Sequence, residues 1–149
     1  MRVVIQRVSE ASVTIDSQIT SQINKGFMIL VGICTEDNLE DIKWLTQKIV
    51  NLRVFGDEKG KMNLAITDIK GEILLISQFT LFASTKKGNR PSFIQSAKPE
   101  IAIPLYEQFI NSLRETGIPI QTGTFGADMK VSLTNDGPVT IIIDSKNKE

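Results

Sequence analysis

The chain contains no histidine and a single cysteine, Cys34. Without imidazole, the Ser–His and Cys–His hydrolase designs and every histidine-ligated metal centre are excluded. One cysteine cannot close a disulfide within the chain, and its setting in Leu30-Val31-Gly32-Ile33-Cys34 reads as a small buried strand residue. A reducing cytoplasm is the expected compartment. Net charge is also missing, since 17 basic side chains balance 17 acidic ones. That argues against broad electrostatic binding of duplex nucleic acid and leaves room only for a local patch. Long apolar runs are absent as well. The longest, Phe27 to Cys34, falls far short of the roughly 20 residues that span a bilayer. The start, Met1-Arg2-Val3-Val4-Ile5-Gln6-Arg7, lacks the layout of a signal peptide, so neither a membrane partner nor a targeting segment is expected.

What the chain does have is enough apolar material for one core. At 149 residues and 41% apolar it fits a single domain spanning 1–149. The first 34 residues read as a meander of four strands, Met1 to Val8, Ala11 to Ile15, Ile19 to Ile23 and Phe27 to Cys34. From Asp37 the period changes. Leu39, Ile42, Leu45 and Ile49 recur at helical spacing, and Asp37 followed by Glu40 resembles a capping box, which predicts a helix over about 38–52. Gly56 to Gly60 is a turn, and Met62 to Ile69 fits either irregular structure or a brief strand.

Leu105, Phe109 and Leu113 mark a second helix that closes at Gly117 and begins either near Ile103 or at Pro99 with a kink at Pro104. Strands at Ile118 to Thr124, Lys130 to Thr134 and Val139 to Asp144 follow. The sum is α+β: mostly antiparallel curved sheets forming a partial β-barrel, with two main helices packed outside.

Two polar segments stand against apolar strands. Ser77-Gln78-Phe79-Thr80 ends the run Ile73-Leu74-Leu75-Ile76, whose two faces are both apolar and therefore both covered. Asn135-Asp136-Gly137-Pro138-Val139-Thr140 opens the run Ile141-Ile142-Ile143. Hydroxyls, amides and free backbone at such places are costly unless they are hydrogen-bonded or bind something. Asp136-Gly137 suggests a hairpin turn, but Pro138 cannot donate to a ladder, so this backbone has another use.

Arg7 shares a strand face with Val3 and Ile5, where it either snorkels at the strand end or meets a partner. Phe125 and Met129, beside Gly123 and Gly126, can line a pocket for a base or ribose or can simply pack in the core. Ser84 to Pro91 is a polar loop carrying Lys86, Lys87 and Arg90, either solvated or holding a phosphate-bearing substrate.

Ser77-Gln78-Phe79-Thr80-Leu81 and Asn135-Asp136-Gly137-Pro138-Val139-Thr140, together with Met1-Arg2-Val3-Val4-Ile5-Gln6-Arg7-Val8, resemble the D-aminoacyl-tRNA deacylase family over essentially the whole chain. The resemblance implies a cytoplasmic, metal-independent homodimer without cofactor. Its partner would be the acceptor end of aminoacyl-tRNA, and its reaction hydrolysis of the ester to a D-amino acid or glycine, with L-aminoacyl esters spared. It implies that Gly137 and Pro138, joined by a cis bond, reach into the partner subunit's pocket and police chirality through main-chain atoms, with Arg7 holding that segment. Ser77, Gln78 and Phe79 would line the reaction centre, with Phe125 and Met129 near the adenosine. An aminoacyl ester is already activated, so oxyanion donors and a placed water suffice in a histidine-free site. Thr80 is a possible nucleophile without an evident base; the favoured route uses the ribose 2′-hydroxyl to orient or activate water.

Overall fold

The computed structural model describes residues 1–149. The alternating start of the chain forms one long strand, β1 (Arg2–Ile15), where two were expected. Its partner is the similarly long last strand, β8 (Lys130–Asp144), which likewise merges two expected strands. Register shifts between Gln6 and Val8 and between Val8 and Glu10 absorb the polar breaks without ending the pairing. They also shift the two-residue period. Val3 and Ile5 therefore join the main core, whereas Val8, Ala11 and Val13 join a second, smaller one.

Along the other edge of β1 lie β2 (Gln18–Ile23) and β3 (Gly26–Gly32), both antiparallel to it. Strand β6 (Glu72–Ser77) then pairs parallel with β3, and β7 (Ile120–Thr122) parallel with β6. The order is β2-β1-β3-β6-β7, with β8 added on β1. The Ser21 hydroxyl donates to the Thr122 carbonyl at 2.6 Å, tying β2 to β7 and nearly closing the sheet into a barrel. A separate hairpin pairs β4 (Phe55–Gly56) with β5 (Met62–Leu64), which settles the ambiguous segment as a short strand followed by a turn.

Two helices cover the outer face. Helix α1 (Leu39–Val50) is capped by Asn38, whose side chain accepts from the Glu40 N–H while Asp41 accepts from the Asn38 N–H. Asp37 is not the cap because its carboxylate is engaged elsewhere, by the Met1 ammonium and, at 2.8 Å, by the Cys34 N–H. Helix α2 (Pro99–Arg114) starts at the earlier of its two expected positions, with Pro99 in the first turn and Pro104 inside. It buries Ala102, Tyr106, Phe109, Ile110 and Leu113 against the sheet, a stripe at helical spacing. Glycine permits one close approach at the base of the parallel pair: a Cβ on Gly26 would lie 1.9 Å from the Glu72 carbonyl oxygen.

Candidate active site

Strands β3, β6 and β7 run parallel and end together, and a cleft opens beyond their carboxyl ends, the place where parallel sheets leave backbone groups and side chains free to meet a ligand. Its volume is about 320 Å³. Val31 and Ile33 from the end of β3 and Ile76 and Ser77 from the end of β6 form one side. Ala97 and Ala102 close the side toward α2, and Phe125 to Met129 form the opposite wall. Of the candidate residues, Ser77, Gln78, Phe79, Phe125 and Met129 all line this cleft.

The strand carrying the first motif ends at Ser77. The Gln78 N–H still reaches the Val31 carbonyl at 2.7 Å, and the chain then turns into a single 3₁₀ turn, Phe79–Phe82. That turn packs closely on β3, because a Cβ on Gly32 would come within 3.0 Å of the Leu81 Cβ. Within the turn the Leu81 N–H donates to the Gln78 carbonyl at 3.2 Å and the Ala83 N–H to the Thr80 carbonyl at 3.0 Å. The N–H groups of Phe79 and Thr80 precede the first of these bonds and have no acceptor in the protein, as expected at the start of a turn.

Phe79 is 56% exposed, with its ring edge-on to Phe93 at 5.0 Å. The Ser96 hydroxyl fixes its carbonyl at 2.7 Å. Thr80 is exposed outside the lining, and its hydroxyl accepts from the Gln78 amide.

The opposite wall is positioned by glycines and a buried tyrosine. A Cβ on Gly123 would lie 2.5 Å from the Met129 sulfur, so the thioether crosses bare backbone to reach the cleft. Tyr106 donates its hydroxyl to the Leu75 carbonyl at 3.0 Å, and its ring sits 5.9 Å from that of Phe125. Burial pushes its phenol up to about 12, so it stays a neutral donor. Tyr106 is absent from the sequence-derived candidates. Its signal was available, as a polar-tipped aromatic on the apolar stripe of α2 needs a partner inside.

Arg7, Gly137 and Pro138 form a second cluster that does not line this cleft. Between the pairs Gln6–Thr140 and Val8–Asn135 the strand β8 carries three residues more than β1; Asp136 to Pro138 bulge outward, and Val139 turns back into the core. The Gly137–Pro138 bond is cis, and both residues are exposed. The Asn135 amide braces the bulge, accepting from the Val139 N–H at 2.7 Å and donating to the Thr140 hydroxyl at 3.1 Å. Arg7 resolves in favour of a partner over snorkelling. Its guanidinium, 14% exposed, donates to the Asp136 carbonyl at 2.7 Å and to the Val54 carbonyl. Gly137 has φ +149°, and a Cβ there would lie 2.9 Å from the Val139 nitrogen and 3.1 Å from the Arg7 guanidinium, so only glycine fits.

Elsewhere, no three Cys, Asp or Glu side chains cluster as metal ligands would, and no helix is long and apolar enough to cross a membrane. The class these features define is a barrel-like α+β protein whose mostly apolar cleft offers the Gln78 amide, the Ser77 hydroxyl and the free Phe79 N–H, with its one carboxylate, Asp128, paired to Lys130.

Comparison with known proteins narrows that class. The family described as D-Tyr-tRNA(Tyr) deacylase matches residues 4–144. A D-aminoacyl-tRNA deacylase of Flavobacterium psychrophilum is 67% identical over the full length of both chains, and one of Bacteroides fragilis 68%. Among solved structures, that of a c-Myc DNA Unwinding Element Binding Protein superposes with a TM-score of 0.92 at 44% identity, covering 97% of this chain and 98% of its own. A probable eukaryotic D-amino acid tRNA deacylase shares the fold, with a TM-score of 0.79 at 16% identity over 95% of this chain and 97% of its own. The chain belongs to the D-Tyr-tRNA(Tyr) deacylase family.

Proposed function

We propose that the protein, acting as one domain over residues 1–149, hydrolyses the ester that joins a D-amino acid, or glycine, to the terminal adenosine of tRNA, and leaves L-aminoacyl esters intact. The observation that carries this reading is the separation of the two motifs. Ser77 to Phe79 line a cleft, while the Gly137–Pro138 bulge stands outside its own cleft, exposed and braced by Arg7 and Asn135. A braced, exposed bulge and an open cleft complement each other in a homodimer, where each bulge enters the partner's cleft. Its main chain then stands where an L side chain would project, whereas the hydrogen of a D residue or glycine fits. The names of the full-length relatives support the substrate.

In the reaction water attacks the ester carbonyl, the carbon–oxygen bond to the ribose breaks, and the 3′-hydroxyl leaves with a proton. The Phe79 N–H faces no acceptor of its own, belongs to the cleft lining and serves as a donor to the oxyanion, a contribution on the order of 10² to 10³ in rate. The ribose 2′-hydroxyl orients or activates the water. Thr80 is not the nucleophile in this scheme, since its hydroxyl is held by the Gln78 amide and lies outside the cleft lining.

Release of amino acid from matched D- and L-tyrosyl-tRNA, with and without chelator, tests the assignment. Loss of the D ester alone is expected, in both conditions. Thr80→Ala should keep most of the activity, and a 2′-deoxy terminal adenosine should react poorly. The reverse pattern would reject the substrate-assisted route. A second reading, a nucleic-acid-binding module without turnover, is prompted by the name of the 44% identical protein, c-Myc DNA Unwinding Element Binding Protein. It predicts that both esters are protected.

A further inference from the structure

The basic loop lies next to the cleft and has a shape of its own. It is closed at its base by a reciprocal pair of backbone hydrogen bonds, Ser84 N–H to Ser92 carbonyl at 2.8 Å and Ser92 N–H to Ser84 carbonyl at 2.9 Å. Lys86, Lys87 and Arg90 sit between these bonds, exposed, and none of the ion pairs in the molecule involves them. With Phe82, Ser84 and Gln95 they line a concavity of about 350 Å³. In a chain with no net charge, three unpaired cations around one hollow form a local positive field. A further cation close by, Arg2, stacks on the Phe82 ring at 4.8 Å but is neutralised by Asp144 at 2.9 Å, so the field belongs to the loop.

The hollow and the cleft share a wall. Ser92 and Gln95 line the hollow, Ala97 lines the cleft, and Phe93 and Ser96 between them hold Phe79 through the ring contact and the hydrogen bond to its carbonyl. Six residues of chain reach at most about 20 Å. That is the length of about six stacked nucleotides at roughly 3.4 Å each.

We propose that the Lys86–Arg90 loop is a phosphate-gripping arm that holds the backbone of the RNA strand running into the cleft, within about its last six nucleotides. The inference rests on the deacylase reading for the 3′ end that occupies the cleft. The arm reads charge and spacing, not bases. It supplies affinity for the polymer and takes no part in the chemistry.

The test replaces Lys86, Lys87 and Arg90 together with alanine and compares two substrates, D-tyrosyl-tRNA and 3′-O-D-tyrosyl-adenosine, which has no phosphate. For the tRNA we expect KM to rise 10- to 100-fold with kcat unchanged. The slope of log KM against log salt should flatten by about 2 to 3, the value for three lost phosphate contacts. For the phosphate-free ester neither parameter should move. An equal effect on both substrates, or an unchanged salt slope, would overturn the arm. Fluorescence anisotropy of uncharged tRNA reads the arm even if the wild type hydrolyses neither ester, so failure of the deacylase reading is seen separately.

Discussion

Gly137 shows how much a single residue carries. Its backbone lies at φ +149°, and any side chain there meets the Val139 nitrogen and the Arg7 guanidinium. Gly137→Ala should therefore displace the bulge, at a cost of about 1 to 3 kcal/mol for the strained backbone, and the ratio of D- to L-ester turnover should fall sharply. Gly60→Ala is the control, because Gly60 also has positive φ, +72°, but faces open space. If both variants lose activity in proportion to stability, Gly137 matters only for folding. The irregular backbone at Gly137–Pro138 was legible in the sequence because Pro138 cannot donate to a ladder, whereas the pattern left Arg7 open between snorkelling and a partner, and the fold supplies the Asp136 carbonyl. The Arg7 contact to Val54 was not, since nothing in a one-dimensional pattern brings residues 7 and 54 together. Tyr106 went unread for a related reason: the stripe read on α2 was Leu105, Phe109 and Leu113, and only the fold shows that Tyr106 is buried and which carbonyl it holds.

Elements were read best where periodicity is strong and worst where irregular residues interrupt a long strand. Helix α1 appeared at its expected place, but its cap moved by one residue because the buried Met1 ammonium claims Asp37. Strands β1 and β8 were each cut in two at polar breaks, since alternation in sequence does not reveal a bulge that lets pairing continue. The cap of α1 is also tied to the end of the chain, because Asp41 receives the Lys146 ammonium at 2.8 Å. Burial of Asp41 opposes its charged form, but hydrogen bonds from Lys146, Ser145 and the Asn38 N–H outweigh it and hold its carboxyl below the usual carboxylate range. A depressed carboxyl stabilises the fold fully above the unfolded value near 4, and that contribution is lost as pH falls through the folded value. Asn38→Ala should cost about 1 kcal/mol, or roughly 2 to 4 °C in Tm for a chain of this size. Asp41→Asn should flatten the decline of Tm below about pH 4. A wild-type Tm that is constant from pH 5 to pH 2 would refute the linkage.

At the level of the whole molecule, the sheet face opposite the helices is incompletely covered. Val4 pairs with Leu30 on one side and Ile142 on the other, so the three side chains share that face. Val4 and Leu30 are half-buried, but Ile142 is 68% exposed. An apolar strip on a paired strand, in a molecule whose Gly137–Pro138 bulge stands outside its own cleft, is what a homodimer would cover. In the proposed homodimer the cleft of one chain and the bulge of the other would meet across the two-fold axis. Ile142→Glu should then shift sedimentation toward the monomer and remove D-ester hydrolysis while leaving the far-ultraviolet circular dichroism unchanged. A monomeric Ile142→Glu protein with full activity would show that each cleft works alone, and the bulge would then need a role within its own chain.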